Sequence, residues 1–232
     1  MAMMTELNVR KTQDEALDRL REQLLKLGNL AQDAIRKAVW ALEKQDEALS
    51  KEVLDGDDVL DELASAIEEG CLLFTARYQP VAQDLRTVSA INRMAIDLER
   101  IGDLGVSIAK ITRFFFGKTL IKPLIDIPRM AEIVEEMIDG TMRAFINRDV
   151  EEAKRVCPMD DLLDDLDRQI FNELLLLMIE NPRVIEQATQ LVLVSRALER
   201  AGDHTTNLAE KTIYMVTGKH AKASEFRRKR EE

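Results

Sequence analysis

The sequence is poor in the residues that break helices, because it contains only 9 Gly and 5 Pro among 232 residues. Aromatic residues make up 4% of the chain, whereas hydrophobic residues make up 46% and charged residues 33%. This composition is typical of a helical protein rich in Ala, Leu, Glu, Lys and Arg. No segment shows the alternation of apolar and polar residues that a half-buried strand requires. We therefore predict an all-α fold.

Cysteine and long apolar runs are also scarce. Cys71 and Cys157 form no disulfide framework and no metal-binding spacing, which indicates a reducing compartment. The longest apolar run, residues 174–179, is far shorter than the roughly 18 residues that cross a membrane. The N-terminus shows no continuous apolar region of a signal peptide. These absences predict a cytoplasmic protein without direct membrane insertion.

Positive charge is in the minority, with 33 Lys and Arg against 43 Asp and Glu and a net charge of −10. This balance disfavours binding to nucleic acid or to an anionic membrane. The one dense basic run, residues 227–230, is interpreted as a solvated tail.

The chain contains an internal repeat with an offset of about one hundred residues. Leu-Glu-Arg-Ile-Gly-Asp at residues 98–103 returns as Leu-Glu-Arg-Ala-Gly-Asp at residues 198–203. A repeat of this kind indicates a tandem duplication. We predict a first repeat over residues 1–120, a second over 121–220, and a charged tail over 221–232.

The spacing of apolar residues predicts long amphipathic helices with short connections. We place six main helices at about 12–45, 46–77, 80–116, 128–147, 149–180 and 182–217, with breaks near Gly56 and near Pro158. Three antiparallel helices in each half form a three-helix bundle. Gly102 and Gly202 lie inside helices, which indicates close approach of either a neighbouring helix or a bound group.

One acidic pair stands inside the third helix of each half. Glu99 and Asp103 are four residues apart, as are Glu199 and Asp203, so each pair lies on one helix face. Like charges at this spacing destabilise a helix by a few tenths of a kcal/mol. The helix dipole does not explain them, because its effect ends within the first turn.

Similar pairs open the second helical segment of each half, at Asp57 and Asp61 and at Asp160 and Asp164. Taken alone, these pairs are explained by the favourable interaction of acids with a helix N-terminus. Antiparallel packing, however, would bring each of them close to a pair on the third helix. Four adjacent carboxylates repel one another unless a cation lies among them.

We therefore expect one carboxylate metal site per half, with room for more than one ion. Oxygen ligands suit hard cations such as magnesium, calcium, manganese or ferric iron. The alternative is a solvated acidic face with Arg100 and Arg200 as counter-ions. His204 and Asn207 follow only the second pair, and His204 is a metal ligand, a phosphate-contacting donor or a surface histidine.

The chain resembles the PhoU family of phosphate-uptake regulators. The resemblance rests on the doubled Glu-Arg-x-Gly-Asp, on Gln-Pro-Val-Ala-Gln-Asp-Leu-Arg at 79–86, and on Gly-Asp-His-Thr-Thr-Asn-Leu-Ala-Glu at 202–210. It implies two three-helix bundles related by a pseudo-twofold axis. It also implies metal clusters, with iron, manganese, magnesium or zinc as candidates, at Glu/Asp-x-x-x-Asp motifs: Asp57, Asp61, Glu99, Asp103, Asp160, Asp164, Glu199 and Asp203.

The resemblance further implies a dimeric, cytoplasmic negative regulator of phosphate uptake and phosphate-starvation signalling. Such a protein restrains the ATPase subunit of a phosphate ABC transporter and its coupled phosphate-sensing histidine kinase. Many relatives carry His and Asn after the first Glu-Arg-x-Gly-Asp, where this chain has Leu104 and Ser107. The second half also lacks counterparts of Asp84 and Arg86, so a fully symmetric mechanism is not expected.

No catalytic set is recognisable in the sequence, which favours a regulatory adaptor without turnover over an enzyme. One alternative is a phosphotransfer protein with His204 as the acceptor. Another is a metal store or metalloenzyme that uses the carboxylate sites.

Overall fold

The structure, a computed structural model, describes residues 2–227, and their side chains from residue 10. The first half contains α1 (Ala2–Lys44), α2 (Glu47–Asp55), α3 (Asp57–Tyr78) and α4 (Ala82–Thr112). The second half contains α5 (Asp126–Asn147), α6 (Val150–Val156), α7 (Asp160–Glu180) and α8 (Ile185–Thr217). Residues 2–227 include no strand, so the predicted all-α class is confirmed.

Helix boundaries follow local capping chemistry. The Asp46 side chain accepts a hydrogen bond from the backbone N–H of Leu49 at the start of α2. The Asp149 side chain does the same for two N–H groups at the start of α6. At the other end, α8 stops at Gly218, whose φ of 71° requires the left-handed conformation that glycine adopts without strain.

The predicted breaks are also present. The second helical segment of the first half divides at Gly56 into α2 and α3. In the second half, a 3-10 turn at Cys157–Met159, with Pro158 in it, separates α6 from α7.

α4, which is the third helix of the sequence prediction, starts later than predicted, at Ala82. The reason is that the backbone of Gln79 is left-handed and that of Val81 is extended. α1 starts earlier than predicted, at Ala2.

Each half forms a three-helix bundle in which the broken second helix counts as one. α1, α3 and α4 pack together in the first half, and α5, α7 and α8 pack together in the second. The two bundles meet where α4 lies against α8 and α1 lies against α5. One hydrophobic core runs through both bundles, so the tandem arrangement is confirmed, while the division at residue 120 stays a prediction.

Two glycines set the distance between the second and third helices of each bundle. A Cβ atom at Gly102 would lie 2.4 Å from Leu60 Cδ1 of α3, and one at Gly202 would lie 2.3 Å from Leu163 Cδ1 of α7. Of the two interpretations of these glycines, close helix packing therefore holds in both halves. In the described part of the chain, no helix combines the length and the hydrophobicity needed to cross a membrane.

Candidate metal centres

The first acidic cluster lies between α3 and α4. The two helices are antiparallel neighbours, and Asp57 and Asp103 are equally far along the chain from the connecting loop, as are Asp61 and Glu99. Asp57, Asp61 and Asp103 each offer a carboxylate oxygen, and these three oxygens lie within 4.8 Å of one another. In the first half, the structure thus brings the helix-opening pair together with Asp103 of the mid-helix pair, whereas Glu99 is not part of this group of three.

The electrostatics of the first cluster are those of crowded carboxylates. Burial raises the pKa of Asp57, and the charges of Asp61 and Asp103 raise it further. Burial also raises the pKa of Glu99; the charge of Arg100 opposes this shift, and the charges of Asp103 and Asp61 add to it. The neighbouring carboxylates thus disfavour the ionised states of Asp57 and Glu99, which a cation among them would reverse.

The second cluster differs from the first in its burial. Asp160, the first residue of α7, is 0% exposed, whereas its counterpart Asp57 is partly exposed. Burial raises the pKa of Asp160 to about 7; the charge of Arg227 lowers it, and the charges of Asp203, Asp164 and Glu199 raise it. Among the side chains that the structure describes, three oxygens approach within 4.8 Å only in the first half.

The Asp160 carboxylate lacks a complete set of partners. Its Oδ2 atom forms an ion pair with Nη2 of Arg227, whereas its Oδ1 atom accepts no hydrogen bond from any described residue. A Cβ atom at Gly202 would lie 2.7 Å from this Oδ1, so the glycine makes room for the carboxylate. A buried carboxylate oxygen without a donor is costly in the metal-free protein.

The first cluster fits a hard cation by its geometry, whereas the second offers a buried carboxylate oxygen without a donor. Calcium and magnesium bind carboxylate oxygens at about 2.0–2.6 Å, so two oxygens on one ion are at most about 5 Å apart. The 4.8 Å limit met by Asp57, Asp61 and Asp103 agrees with this geometry. In the second half, the unpartnered Oδ1 of Asp160 is the group that a cation would satisfy.

Of the two arginines of the repeated motif, Arg100 contacts its acidic cluster. Arg100 Nη1 lies 3.0 Å from Asp103 Oδ2, and both side chains are exposed. Arg200 forms no ion pair within the described residues. In the second half, Arg227 contacts the cluster, so the interpretation of residues 227–230 as a solvated tail is wrong at its first residue. Residues 228–230 lie outside the described residues.

His204 and Asn207 contact α4 rather than the carboxylates of the second acidic cluster. His204 Nδ1 lies 2.9 Å from Asp97 Oδ1, and Asn207 Nδ2 donates to the same oxygen at 3.3 Å. Asp97 belongs to α4, so these contacts join the two bundles. Sequence reasoning missed Asp97, because the second half has Ala197 at the equivalent position.

Sequence reasoning also missed a buried acid, Asp167. Asp167 of α7 is 3% exposed, accepts a hydrogen bond from Ser195 Oγ at 2.9 Å, and pairs with Arg196 Nη1 at 2.8 Å. Its negative charge contributes to the raised pKa of Glu199. The first half has Ala64 and Ala95 instead of Asp167 and Ser195, so the repeat contains no signal for this pair.

These features define a class of protein: an all-helical tandem repeat with an acidic cluster between the second and third helices of each bundle. The family model described as the PhoU domain matches residues 24–112 and again residues 127–212. The chain therefore belongs to the PhoU family, and the resemblance read from its motifs is confirmed.

Relatives match over almost the whole chain. A phosphate-specific transport system accessory protein PhoU homolog of Clostridium acetobutylicum is 38% identical over 211 residues, which are 90% of this chain and 96% of the relative. The protein of the same description from Aquifex aeolicus is 40% identical over 215 residues, 93% of this chain and 97% of the relative.

Two solved structures share the fold. PhoU from Pseudomonas aeruginosa superposes with a TM-score of 0.85 at 32% identity, covering 89% of this chain and 99% of that one. The phosphate transport system regulatory protein PhoU from Streptococcus pneumoniae gives 0.84 at 27% identity, covering 90% and 99%.

Proposed function

We propose that this chain is an accessory protein of a phosphate transport system, acting as a metal-binding helical adaptor that restrains phosphate uptake. The observation that carries the proposal is the acidic cluster between the second and third helices of a chain that belongs to the PhoU family. The relatives named as accessory proteins of phosphate transport support the choice of partner.

The metal part of the proposal assigns eight ligands to two centres, with iron, manganese, magnesium or zinc as the candidate ions. A bound cation would neutralise the mutual repulsion of carboxylates on adjacent helices and so lock those helices together. Asp57, Asp61, Glu99 and Asp103 would hold it in the first half, and Asp160, Asp164, Glu199 and Asp203 in the second. The role of the metal in this proposal is structural, and no turnover is assigned to it.

The adaptor part draws on the protein surface. Leu72 and Leu73 of α3 are exposed, and so are Leu175 and Leu176 at the corresponding positions of α7. Exposed apolar residues that occur together are typical of protein–protein contact sites. We assign these two matching surfaces to contact with the ATPase subunit of the phosphate transporter. A sensor histidine kinase as second partner, dimerisation and a cytoplasmic location follow from the resemblance.

Metal analysis and partner binding test this proposal together. The purified chain is titrated with Mn²⁺, and its binding to the transporter ATPase subunit of the same organism is measured with and without Mn²⁺ and phosphate. We expect Asp57→Asn/Asp61→Asn to abolish binding of Mn²⁺ in the first half. Glu62→Gln is the matched control, because Glu62 is an exposed acid of the same helix outside the cluster.

The two parts of the proposal have separate failure criteria. Mn²⁺ binding that the double substitution leaves intact would refute the assignment of the ligands. A complete lack of association with the ATPase subunit, at any metal or phosphate concentration tested, would refute the adaptor role.

A further inference from the structure

The second acidic cluster already contains a cation that the chain itself supplies. Nη2 of Arg227 forms an ion pair with Oδ2 of Asp160 and lies 3.7 Å from Oδ1 of Asp203. Asp160 is completely buried, and the Arg227 side chain is only 23% exposed. This is therefore not a pair of solvated surface charges, for which the expected contribution is small.

A folded segment carries Arg227 to this position. After α8 ends at Gly218, the chain turns back, and the backbone N–H of Ala223 donates to Glu210 Oε1 at 2.7 Å. The Ala223 side chain is buried in a small apolar cluster that also contains Ala153 and Cys157, and Phe226 packs against this cluster. Residues 219–227 are thus attached to α6 and α8 independently of the ion pair.

The first cluster has no equivalent of this arrangement. The arginine that contacts it, Arg100, belongs to α4 itself, is more than half exposed, and pairs with Asp103. Among the described residues, no segment from elsewhere in the chain places a guanidinium on Asp57, the counterpart of Asp160. Among the described residues, the first carboxylate set is thus contacted by an arginine of its own helix, and the second set by an arginine from another segment of the chain.

We propose that Arg227 occupies the cation position of the second cluster, so that metal binds there only by displacing the guanidinium, while Ala223 keeps its contacts with α6 and α8. This inference rests on the proposed metal-binding function. A metal ion and a guanidinium on the same carboxylate repel each other, and the unpartnered Oδ1 of Asp160 shows that Arg227 satisfies the carboxylate only in part.

Two consequences follow for the metal-binding behaviour. The second half binds metal more weakly than the first, because displacement of Arg227 opposes binding there. Metal occupancy of the second half also changes the position of the Arg227 side chain, since its guanidinium leaves Asp160 in the metal-bound state.

The test isolates the second centre by working in the Asp57→Asn/Asp61→Asn background, with Mn²⁺ titrated by calorimetry. We expect Arg227→Ala to lower the dissociation constant of the remaining site at least tenfold, and Arg227→Lys to have a smaller effect. Arg168→Ala is the control, because Arg168 is an exposed arginine of α7 that pairs with exposed Asp165. It should leave the constant unchanged.

Hydrogen exchange provides a second readout that needs no substitution. In the metal-free wild type, the amide of Ala223 should be protected, because it is bonded to Glu210. Saturating Mn²⁺ should leave this protection in place, because the hydrogen bond of Ala223 does not depend on the ion pair. Loss of this protection at saturation, or an unchanged dissociation constant in Arg227→Ala, would overturn the inference.

The outcomes separate this inference from the function on which it rests. Binding of Mn²⁺ by the first half, without any gain in the second upon Arg227→Ala, would overturn the inference alone. If wild type and all variants bind no Mn²⁺, the proposed metal function fails and this inference fails with it.

Discussion

Gly105 of α4 lies against the backbone of Ala34 of α1, at a distance that leaves no space for a side chain. A Cβ atom at Gly105 would be 2.9 Å from the carbonyl carbon of Ala34. At Gly102 the nearest atoms belong to the flexible side chain of Leu60. The two glycines are about one turn apart on α4, but Gly105 faces a backbone and Gly102 faces a side chain.

We expect Gly105→Ala to lower the free energy of unfolding by about 2–3 kcal/mol, because the backbone of α1 has to move to avoid overpacking. Gly102→Ala should cost about 1 kcal/mol or less, since Leu60 is able to adjust and alanine favours the helix by roughly 1 kcal/mol. Urea denaturation of the two variants measures the difference. Equal losses of stability would contradict this account of the packing.

Asp160→Asn is expected to stabilise the metal-free protein at pH 8 by about 1–3 kcal/mol while removing metal binding in the second half. Burial raises the pKa of this carboxyl from 3.8 to about 7. The folded protein thus retains a proton that the unfolded chain has lost, and the wild-type free energy of unfolding falls as the pH rises between these values.

Denaturation in the presence of EDTA from pH 4 to pH 8 checks this dependence. The Asp160→Asn variant should show a flatter pH profile than the wild type. Asp165→Asn serves as the control, since Asp165 is exposed on the same helix. A parallel pH dependence in wild type and Asp160→Asn would show that another group is responsible.

His204 and Asp97 should be energetically coupled across the contact between the two bundles. We expect Asp97→Ala and His204→Ala to cost less together than the sum of their separate effects, with a coupling energy of about 1 kcal/mol. The measurement is a double-mutant cycle by urea denaturation. His220, which stacks on Tyr214, is the control partner and should show no coupling to Asp97.

The same substitution tests the phosphotransfer alternative. If His204 only joins the bundles, His204→Ala retains partner binding and phosphate-dependent regulation apart from its loss of stability. A complete loss of regulation by a stably folded His204→Ala variant would favour the phosphotransfer role instead.

The hydrogen bond between Ser195 and Asp167 allows the cost of leaving a buried acceptor without its donor to be measured. Ser195→Ala takes a donor from the buried Asp167 carboxylate and is expected to cost about 1–3 kcal/mol. The double substitution Asp167→Ala/Ser195→Ala should cost less than Ser195→Ala alone, because it recreates the alanine pair of the first half. Additive losses in urea denaturation would refute this expectation.

Much of the fold is predictable from the sequence, because helix signals here are local. Apolar spacing gives the six main helices, Gly56 and Pro158 give the two breaks, and Gly218 gives the end of α8. The convergence of Asp57 with Asp103 follows from antiparallel packing and from equal distances to the connecting loop. Local helix signals and the short connections between helices are enough to predict each of these features.

The sequence revealed only part of the difference between the halves, at Leu104 and Ser107 and at Asp84 and Arg86. A repeat identifies only what both copies share, so Asp97, Asp167 and Ser195 had no counterpart to draw attention to them. Arg227 was grouped with the basic residues that follow it, since composition does not show that Ala223 and Phe226 pack against α6 and α8. These contacts join residues that are far apart in the sequence, so no local pattern indicates them.

The packing of α4 against α8 has a consequence for the history of the chain. A single repeat would carry the same apolar face on its third helix with nothing to cover it, and a second copy of itself would be its natural complement. Fusion of two such copies makes that association intramolecular and independent of protein concentration. It also frees the copies to diverge, and a contact such as that of Asp97 with His204 needs only one of each residue.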